Sequence, residues 1–283
     1  MNKTALVLEG GGMRGVFTAG VLDFFIDKNI TFDNVTGVSA GAGHAVSYLS
    51  GQRERAYRVN VDYLDDKRYC SLDSLIKTGD LFGADMLYRE IPEKLDPYDY
   101  DAYLAQNSVF RAVVTDCETG RAEYPVIREM HNDIQYVRAS ASLPFVSKIV
   151  NIGKGKFLDG GISDPIPFEH MLDIGCNKVV TVLTQPYGYR KKRSHAYSAM
   201  TALFYPRYKG LREAICDRYL VYNDTLDALE EAEERGEVFV IRPPRALGIG
   251  RVEKDRVALE KAYRLGYRTA ERSYAAMKKY LED

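Results

Sequence analysis

Ser39 lies in Gly37-Val38-Ser39-Ala40-Gly41, directly after Val35-Thr36. An earlier glycine turn, Gly10-Gly11-Gly12-Met13-Arg14-Gly15, directly follows the apolar run Ala5-Leu6-Val7-Leu8. A serine in Gly-x-Ser-x-Gly can sit on a sharp strand-to-helix turn that forces its hydroxyl out to a substrate. Glycines that open a helix leave backbone N–H groups bare, ready to hold a developing oxyanion. One turn offers a nucleophile and the other offers electrostatic stabilisation. Together they point to acyl transfer to a serine.

A serine hydroxyl needs a base. The histidines are His44, His131, His170 and His195. His170 alone is a triad candidate, because it follows Asp159 in Ser-Asp-His order. His44, five residues after Ser39, is expected to point away from the hydroxyl. Asp159 follows Lys156-Phe157-Leu158, and Gly160-Gly161 behind it permit a tight turn and close backbone approach. In short contact with a serine, its carboxylate could take the proton during attack. Taken alone, Asp-Gly also reads as a hairpin turn.

The glycine turn has a rival reading as a dinucleotide loop, since Gly10, Gly12 and Gly15 spell G-x-G-x-x-G between a strand and a helix. The acidic residue expected to end the next strand is missing, because Asp33 precedes that strand. No Walker lysine followed by Ser or Thr is present. The Ser-Asp-His α/β-hydrolase order is also disfavoured, because only two strands fit before Ser39.

The elements around these turns read as alternating strand and helix, the pattern of a parallel α/β sheet. Strands are expected at Thr4 to Leu8, Asn34 to Val38, Val109 to Thr115 and Lys178 to Thr184. Helices are expected from Arg14 to Lys28 and from Ala40 to Leu49. Residues 53–107 read as a polar, helical insertion broken at Pro92 and Pro97, able to cover a site. Ala122 to Ile127 is expected to pair with the central strand, and Ile134 to Ala141 to be helical. Two short strands should flank Gly153-Lys154-Gly155. After Pro186 helices dominate, apart from a strand at Val238 to Ile241, and a charged amphipathic helix closes the chain.

Composition sets the outer bounds. Of 283 residues, 46% are hydrophobic and 28% charged, enough for a full-sized core. A net charge of −1 gives no overall attraction to nucleic acid or an anionic membrane. Cys70, Cys117, Cys176 and Cys216 are widely spaced and contain no Cys-x-x-Cys pair, which reads as free thiols in a reducing compartment. The apolar run before Glu9 is too short for a secretory signal, and no stretch reaches the length of a membrane span. A cytoplasmic protein is the expectation.

Taken in order, Gly10-Gly11-Gly12-Met13-Arg14-Gly15, Gly37-Val38-Ser39-Ala40-Gly41 and Asp159-Gly160-Gly161 resemble the three signature blocks of the patatin-like phospholipase family. Ala141-Ser142-Leu143-Pro144 resembles a further family segment. Asp80-Leu81-Phe82-Gly83 and Thr115 to Gly120 resemble a bacterial subgroup. The resemblance covers residues 4–185. It implies a three-layer α/β/α sandwich with a mostly parallel central sheet, plus a helical C-terminal part. It implies lipid acyl ester hydrolysis by a Ser-Asp dyad, with Ser39 as nucleophile and Asp159 as base. Gly10, Gly11 and Gly12 would form the oxyanion hole, and Arg14 and Gly15 complete the loop motif. Glu9 stands where the family more often has aspartate. No metal or organic cofactor is implied, and nucleic acid is not an expected partner.

On this reading residues 1–185 are the catalytic core, and residues 186–283 are a mainly helical extension packed on it as one structural unit. Acyl transfer to an alcohol by the same dyad is the alternative chemistry. A non-catalytic lipid-binding protein on the same fold is the alternative class. Between residues 186 and 212 the chain carries Arg190, Lys191, Lys192, Arg193, Arg207, Lys209 and Arg212 with no acid. That segment is +7, so with the chain at −1 the remainder is −8. Tyr187, Tyr189, Tyr197, Phe204, Tyr205 and Tyr208 are interleaved with these charges. Such a mixture suits peripheral contact with a membrane interface. It equally describes a solvated loop whose aromatics pack on the core.

Overall fold

The computed structural model describes residues 3–283. Its first half runs β1 (Thr4–Leu8), α1 (Val16–Asp27), β2 (Asn34–Val38), α2 (Ala40–Leu49), α3 (Arg55–Val61), α4 (Leu72–Thr78), a π-helical stretch (Met86–Leu95) and α5 (Tyr100–Ala105). The middle contains β3 (Val109–Asp116), β4 (Ala122–Glu123), β5 (Val126–Ile127), α6 (Met130–Ser140), β6 (Val150–Ile152), β7 (Gly155–Asp159), α7 (Phe168–Asp173) and β8 (Lys178–Val182). The chain ends with α8 (Ala196–Phe204), α9 (Lys209–Glu234), β9 (Val238–Ile241) and α10 (Arg256–Glu282).

One sheet has the order β6-β7-β3-β2-β1-β8-β9, with β4 and β5 as short pieces paired to β3. From β3 to β9 the neighbours are parallel. β7 runs antiparallel to both β3 and β6. Parallel strands buried on both faces need continuous apolar runs, which β1 supplies. Its side chains alternate between two cores. Ala5 and Val7 join Phe168 and Met171 of α7 and Tyr222, Leu226 and Leu229 of α9. Leu6 and Leu8 join Phe17, Phe24 and Phe25 of α1, Ala42 and Ala45 of α2, and Ala270 and Met277 of α10. The result is the expected α/β/α arrangement, with helices on both faces of a mixed sheet.

From β1 the chain steps through β2 to β3 on one side, then returns to the other side of β1 at β8. The strand order therefore reverses beside β1, and a crevice opens at the carboxyl ends of the strands there. The glycine loop follows β1, Ser39 follows β2 and Thr184 lies just beyond β8.

Helix α6 starts at Met130, four residues before the expected Ile134. Asp133 supplies the start from inside the helix, its Oδ2 accepting the N–H groups of Arg128 (2.7 Å) and Glu129 (3.1 Å). The C-terminal α10 lies along α1 at very close range. A Cβ on Gly266 would run into the Phe17 carbonyl, and one on Gly20 into the Tyr263 carbonyl. Tyr263 donates to Asp23 (2.7 Å) and Tyr267 donates to Asp27 (2.9 Å) across the same contact. Because the obstacle at Gly266 is backbone, Gly266→Val is expected to destabilise the fold by about 3 kcal/mol. That corresponds to a thermal midpoint lower by roughly 6–12 °C, readable by calorimetry. An unchanged midpoint would contradict this packing of α10 on α1.

Candidate active site

Ser39 stands at the tip of the turn between β2 and α2 with φ 55° and ψ −122°. A positive φ in a residue with a side chain costs about 1–3 kcal/mol and concentrates at functional sites. The turn is tight because its neighbours lack side chains. A Cβ on Gly41 would strike the Leu8 carbonyl, and one on Gly37 would lie 2.5 Å from Ala42 Cα. The Ser39 N–H donates to Ser140 Oγ at the end of α6 (2.9 Å), and the residue is 7% exposed.

Strand register carries Asp159 to the same level. Val38 pairs with Val113 on β3, and the next β3 residue, Val114, pairs with Asp159 on β7. The Asp159 N–H donates to the Ser142 carbonyl (2.8 Å), and Thr115 Oγ1 donates to the Asp159 carbonyl (2.9 Å). Asp159 Oδ1 accepts the Gly161 N–H (2.8 Å), while its buried Oδ2 has no hydrogen-bond partner among the described residues. The side chain is 1% exposed and lines one cleft with Ser39. The two share this cleft without a direct hydrogen bond; such contacts often tighten only when substrate binds. Gly160 lies against Val113, where a Cβ would strike the backbone.

The first glycine turn forms the adjoining wall. Gly10, Gly11 and Gly12 line the cleft, and their N–H groups have no acceptor among the described residues. Gly12 has φ +59°, and a Cβ there would lie 2.5 Å from the Arg251 carbonyl oxygen. The next N–H, that of Met13, donates to that same oxygen (3.0 Å). A Cβ on Gly10 would meet Ser39 Cβ at 2.8 Å, so the loop presses directly on the serine turn. Gly15 faces His44.

Glu9 proves more central than the sequence indicated. It is buried; its Oε2 accepts from the Thr184 N–H (2.6 Å) and Oγ1 (3.0 Å), and its Oε1 accepts from the Tyr222 hydroxyl (2.7 Å). Burial and the Glu9 charge push the Tyr222 pKa upward, so the phenol stays a donor. Glu9 thereby ties the end of β1 to β8 and α9 beneath the glycine loop.

Ser39 also borders a second, more apolar cavity. Phe82, Ala84, Leu87 and Tyr88 wall it, so the helical insertion does reach the serine. His44 lines this cavity too, instead of pointing clear of the site. Its buried Nε2 has no hydrogen-bond partner among the described residues, and burial pushes its pKa down to about 4, which makes it a weak base. His170 lines neither cavity; it stacks on Tyr124 at 3.6 Å between ring centroids.

The basic segment after residue 185 does not stand out as one patch. Arg190 pairs with Asp227 (2.6 Å) and Glu230 (3.4 Å) on α9. Lys191 turns into the cleft with Tyr189. Tyr205 is buried and its hydroxyl accepts the Phe145 N–H (2.8 Å), while Tyr197 packs on the Phe145 ring. Tyr187 and Phe204 remain outside, 71% and 52% exposed, beside Leu203. Composition could not separate inward from outward residues here. Among the described residues no cluster of His, Cys, Asp or Glu is placed to hold a metal ion. No described helix is long and apolar enough to cross a membrane.

Comparisons with known proteins bear on the same residues. The uncharacterized protein YjjU of Escherichia coli is 27% identical over 272 residues, spanning 93% of this chain and 75% of that protein. The uncharacterized protein YqhO of Bacillus subtilis is 24% identical over 186 residues, spanning 57% of this chain and 64% of its own length. In fold, the chain is similar to VipD from Legionella pneumophila, with a TM-score of 0.52 at 14% identity over 99% of this chain and 67% of that one. A family described as a domain of unknown function matches residues 208–282. The model described as patatin-like phospholipase matches residues 6–172, more than half of the sequence and both turns that flank the cleft, so the chain belongs to that family.

Proposed function

We propose that this protein is a serine acylhydrolase of lipid esters, working through Ser39 and Asp159. The observation that carries the reading is one cleft holding three parts: a strained serine turn, a buried carboxylate oxygen without a partner and three bare glycine N–H groups. Ser39 Oγ attacks the ester carbonyl and gives its proton to Asp159 Oδ2. The oxyanion is held by N–H groups of the Gly10 to Gly12 loop. The leaving alcohol takes the proton from Asp159, which leaves an acyl-enzyme on Ser39. Water then attacks that ester, passing a proton to Asp159, and the free acid departs as the proton returns to Ser39. Arg14 and Gly15 complete the loop. The apolar cavity beside Ser39 suits the acyl chain.

We assign residues 1–185 to the catalytic core and residues 186–283 to an extension that completes the cleft. The four cysteines form no disulfide, which supports a reducing, cytoplasmic setting. Contact with a membrane surface would use exposed Tyr187, Leu203 and Phe204 with Lys192 and Arg193.

The test is turnover of a panel of purified glycerolipid esters by the full chain. Release of free fatty acid that is lost in Ser39→Ala is the expected result. Transfer of the acyl group to an added alcohol in preference to water would favour an acyltransferase. Lipid binding without turnover would overturn the enzymatic reading. For the membrane contact, binding to vesicles should rise with anionic lipid content and fall with salt. The pair Lys192→Gln and Arg193→Gln should weaken it. Equal binding to neutral and anionic vesicles would refute it.

A further inference from the structure

Arg14, Lys191, Arg218 and Arg251 all line the cleft that holds Ser39 and Asp159. Against these four basic groups stand only two acids, Glu9 and Asp159. Glu9 is already engaged by Thr184 and Tyr222. None of the four basic side chains forms an ion pair among the described residues, whereas Arg190 next door forms two. Burying cations without counter-charges is costly, and a cleft with excess charge of one sign concentrates ligands of the other.

Each of the three later residues is anchored by its own hydrogen bonds. The Lys191 N–H donates to Asn223 Oδ1 (2.8 Å) and its carbonyl accepts from Asn223 Nδ2 (3.0 Å), which turns the side chain inward. Its Nζ sits 3.6 Å from the centroid of the Tyr222 ring. Arg218 donates from Nε to the Gly161 carbonyl (2.7 Å), two residues after Asp159. A Cβ on Gly161 would lie 3.1 Å from Asp159 Oδ1 and 3.4 Å from Arg218 Nη2, so the guanidinium flanks the carboxylate. The Arg251 backbone is held by the Met13 N–H at the glycine loop. A guanidinium fixed like that of Arg218 recognises phosphate through paired, charge-assisted hydrogen bonds.

We propose that Lys191, Arg218 and Arg251, with Arg14, form a phosphate subsite that selects esters with a small, net-anionic phosphate headgroup over choline-phosphate and neutral esters. The proposal rests on the ester-hydrolase reading and deepens it. A quaternary ammonium would meet four basic groups and no free carboxylate other than the proposed base. Lys191, Arg218 and Arg251 all lie beyond residue 172, and the last two fall in the region 208–282. That region would therefore carry headgroup specificity. Burial and neighbouring Arg218 push the Lys191 pKa down to about 6, so a seated phosphate restores its charge and binding takes up protons.

The test compares three esters sharing one acyl chain in neutral-detergent micelles: 1-acylglycerol 3-phosphate, 1-acylglycerophosphocholine and monoacylglycerol. The wild-type kcat/KM should favour the phosphate monoester by at least tenfold. That ratio should collapse at least tenfold in Lys191→Gln and in Arg251→Gln. A wild type without the preference, or variants that retain it, would overturn the proposal. In parallel, inorganic phosphate and glycerol 3-phosphate are titrated calorimetrically into folded Ser39→Ala protein. Glycerol 3-phosphate should bind more tightly, and Arg251→Gln should weaken it at least tenfold. If no ester turns over but this binding holds, the hydrolase reading fails while the subsite stands. Equal or tighter binding of inorganic phosphate would assign the site to the free anion and overturn the headgroup assignment. Failure of both anions to bind would overturn the subsite.

Discussion

Ser39→Ala should lower ester hydrolysis on the order of 10⁴-fold or more, and Asp159→Asn by about 10⁴-fold, with circular dichroism unchanged in both. Alanine keeps the backbone of the turn and removes only the attacking oxygen. Asparagine matches the shape of aspartate, and its oxygen can still accept the Gly161 N–H. It can no longer receive a proton at the position of Oδ2, the buried atom that has no other partner. His170→Asn should leave kcat/KM within a few-fold, because that ring lies stacked on Tyr124, outside the cleft. A loss in His170→Asn as large as in Asp159→Asn would replace the dyad with a triad.

Gly11→Val should reduce kcat by about 10²–10³ with much less change in KM, the signature of a lost oxyanion donor. A Cβ at this position would lie 2.8 Å from Thr184 Oγ1 and 3.2 Å from Thr184 Cβ. Thr184 cannot retreat cheaply, since its N–H donates to Glu9 Oε2 (2.6 Å) and its hydroxyl lies 3.0 Å from both Glu9 Oε2 and the Gly10 carbonyl oxygen. The glycine loop must therefore shift, and its N–H groups lose their aim at the carbonyl. A folded Gly11→Val enzyme with normal kcat would refute this placement of the oxyanion hole.

The parts of the fold that were legible in sequence are those written locally. Apolar runs gave β1, β2 and β8, the first two leading into glycine turns, and they ended within two residues of their expected limits. Ser39 and Asp159 stand out as candidates in sequence because glycines flank the one and follow the other. The groups that hold them were not visible. Ser140 and Ser142 brace the serine and the aspartate from the end of α6, roughly a hundred residues from Ser39, a contact created only by the stacking of strands. Tyr222 reaches Glu9 across 213 residues of chain. Arg218 resembles any charged residue on a long amphipathic helix until α9 packs against the carboxyl ends of the strands. Glu9 gives no hint of its role in sequence, because a single acid beside a glycine loop carries no sign of its partners. Within 186–212, alternating basic and aromatic residues conceal which side chains face the cleft, and only Asn223 fixes Lys191 inward.

A fluorophosphonate ester, which traps a serine nucleophile, tests most directly whether Ser39 forms a covalent acyl intermediate. After incubation of the full chain with the probe, peptide mass spectrometry should find one adduct, on Ser39. The adduct should accumulate in step with the loss of hydrolytic activity. Ser39→Ala should take up no probe, and Asp159→Asn should label far more slowly. A stoichiometric adduct on another residue, or full hydrolysis by protein whose Ser39 carries the adduct, would contradict Ser39 as the nucleophile.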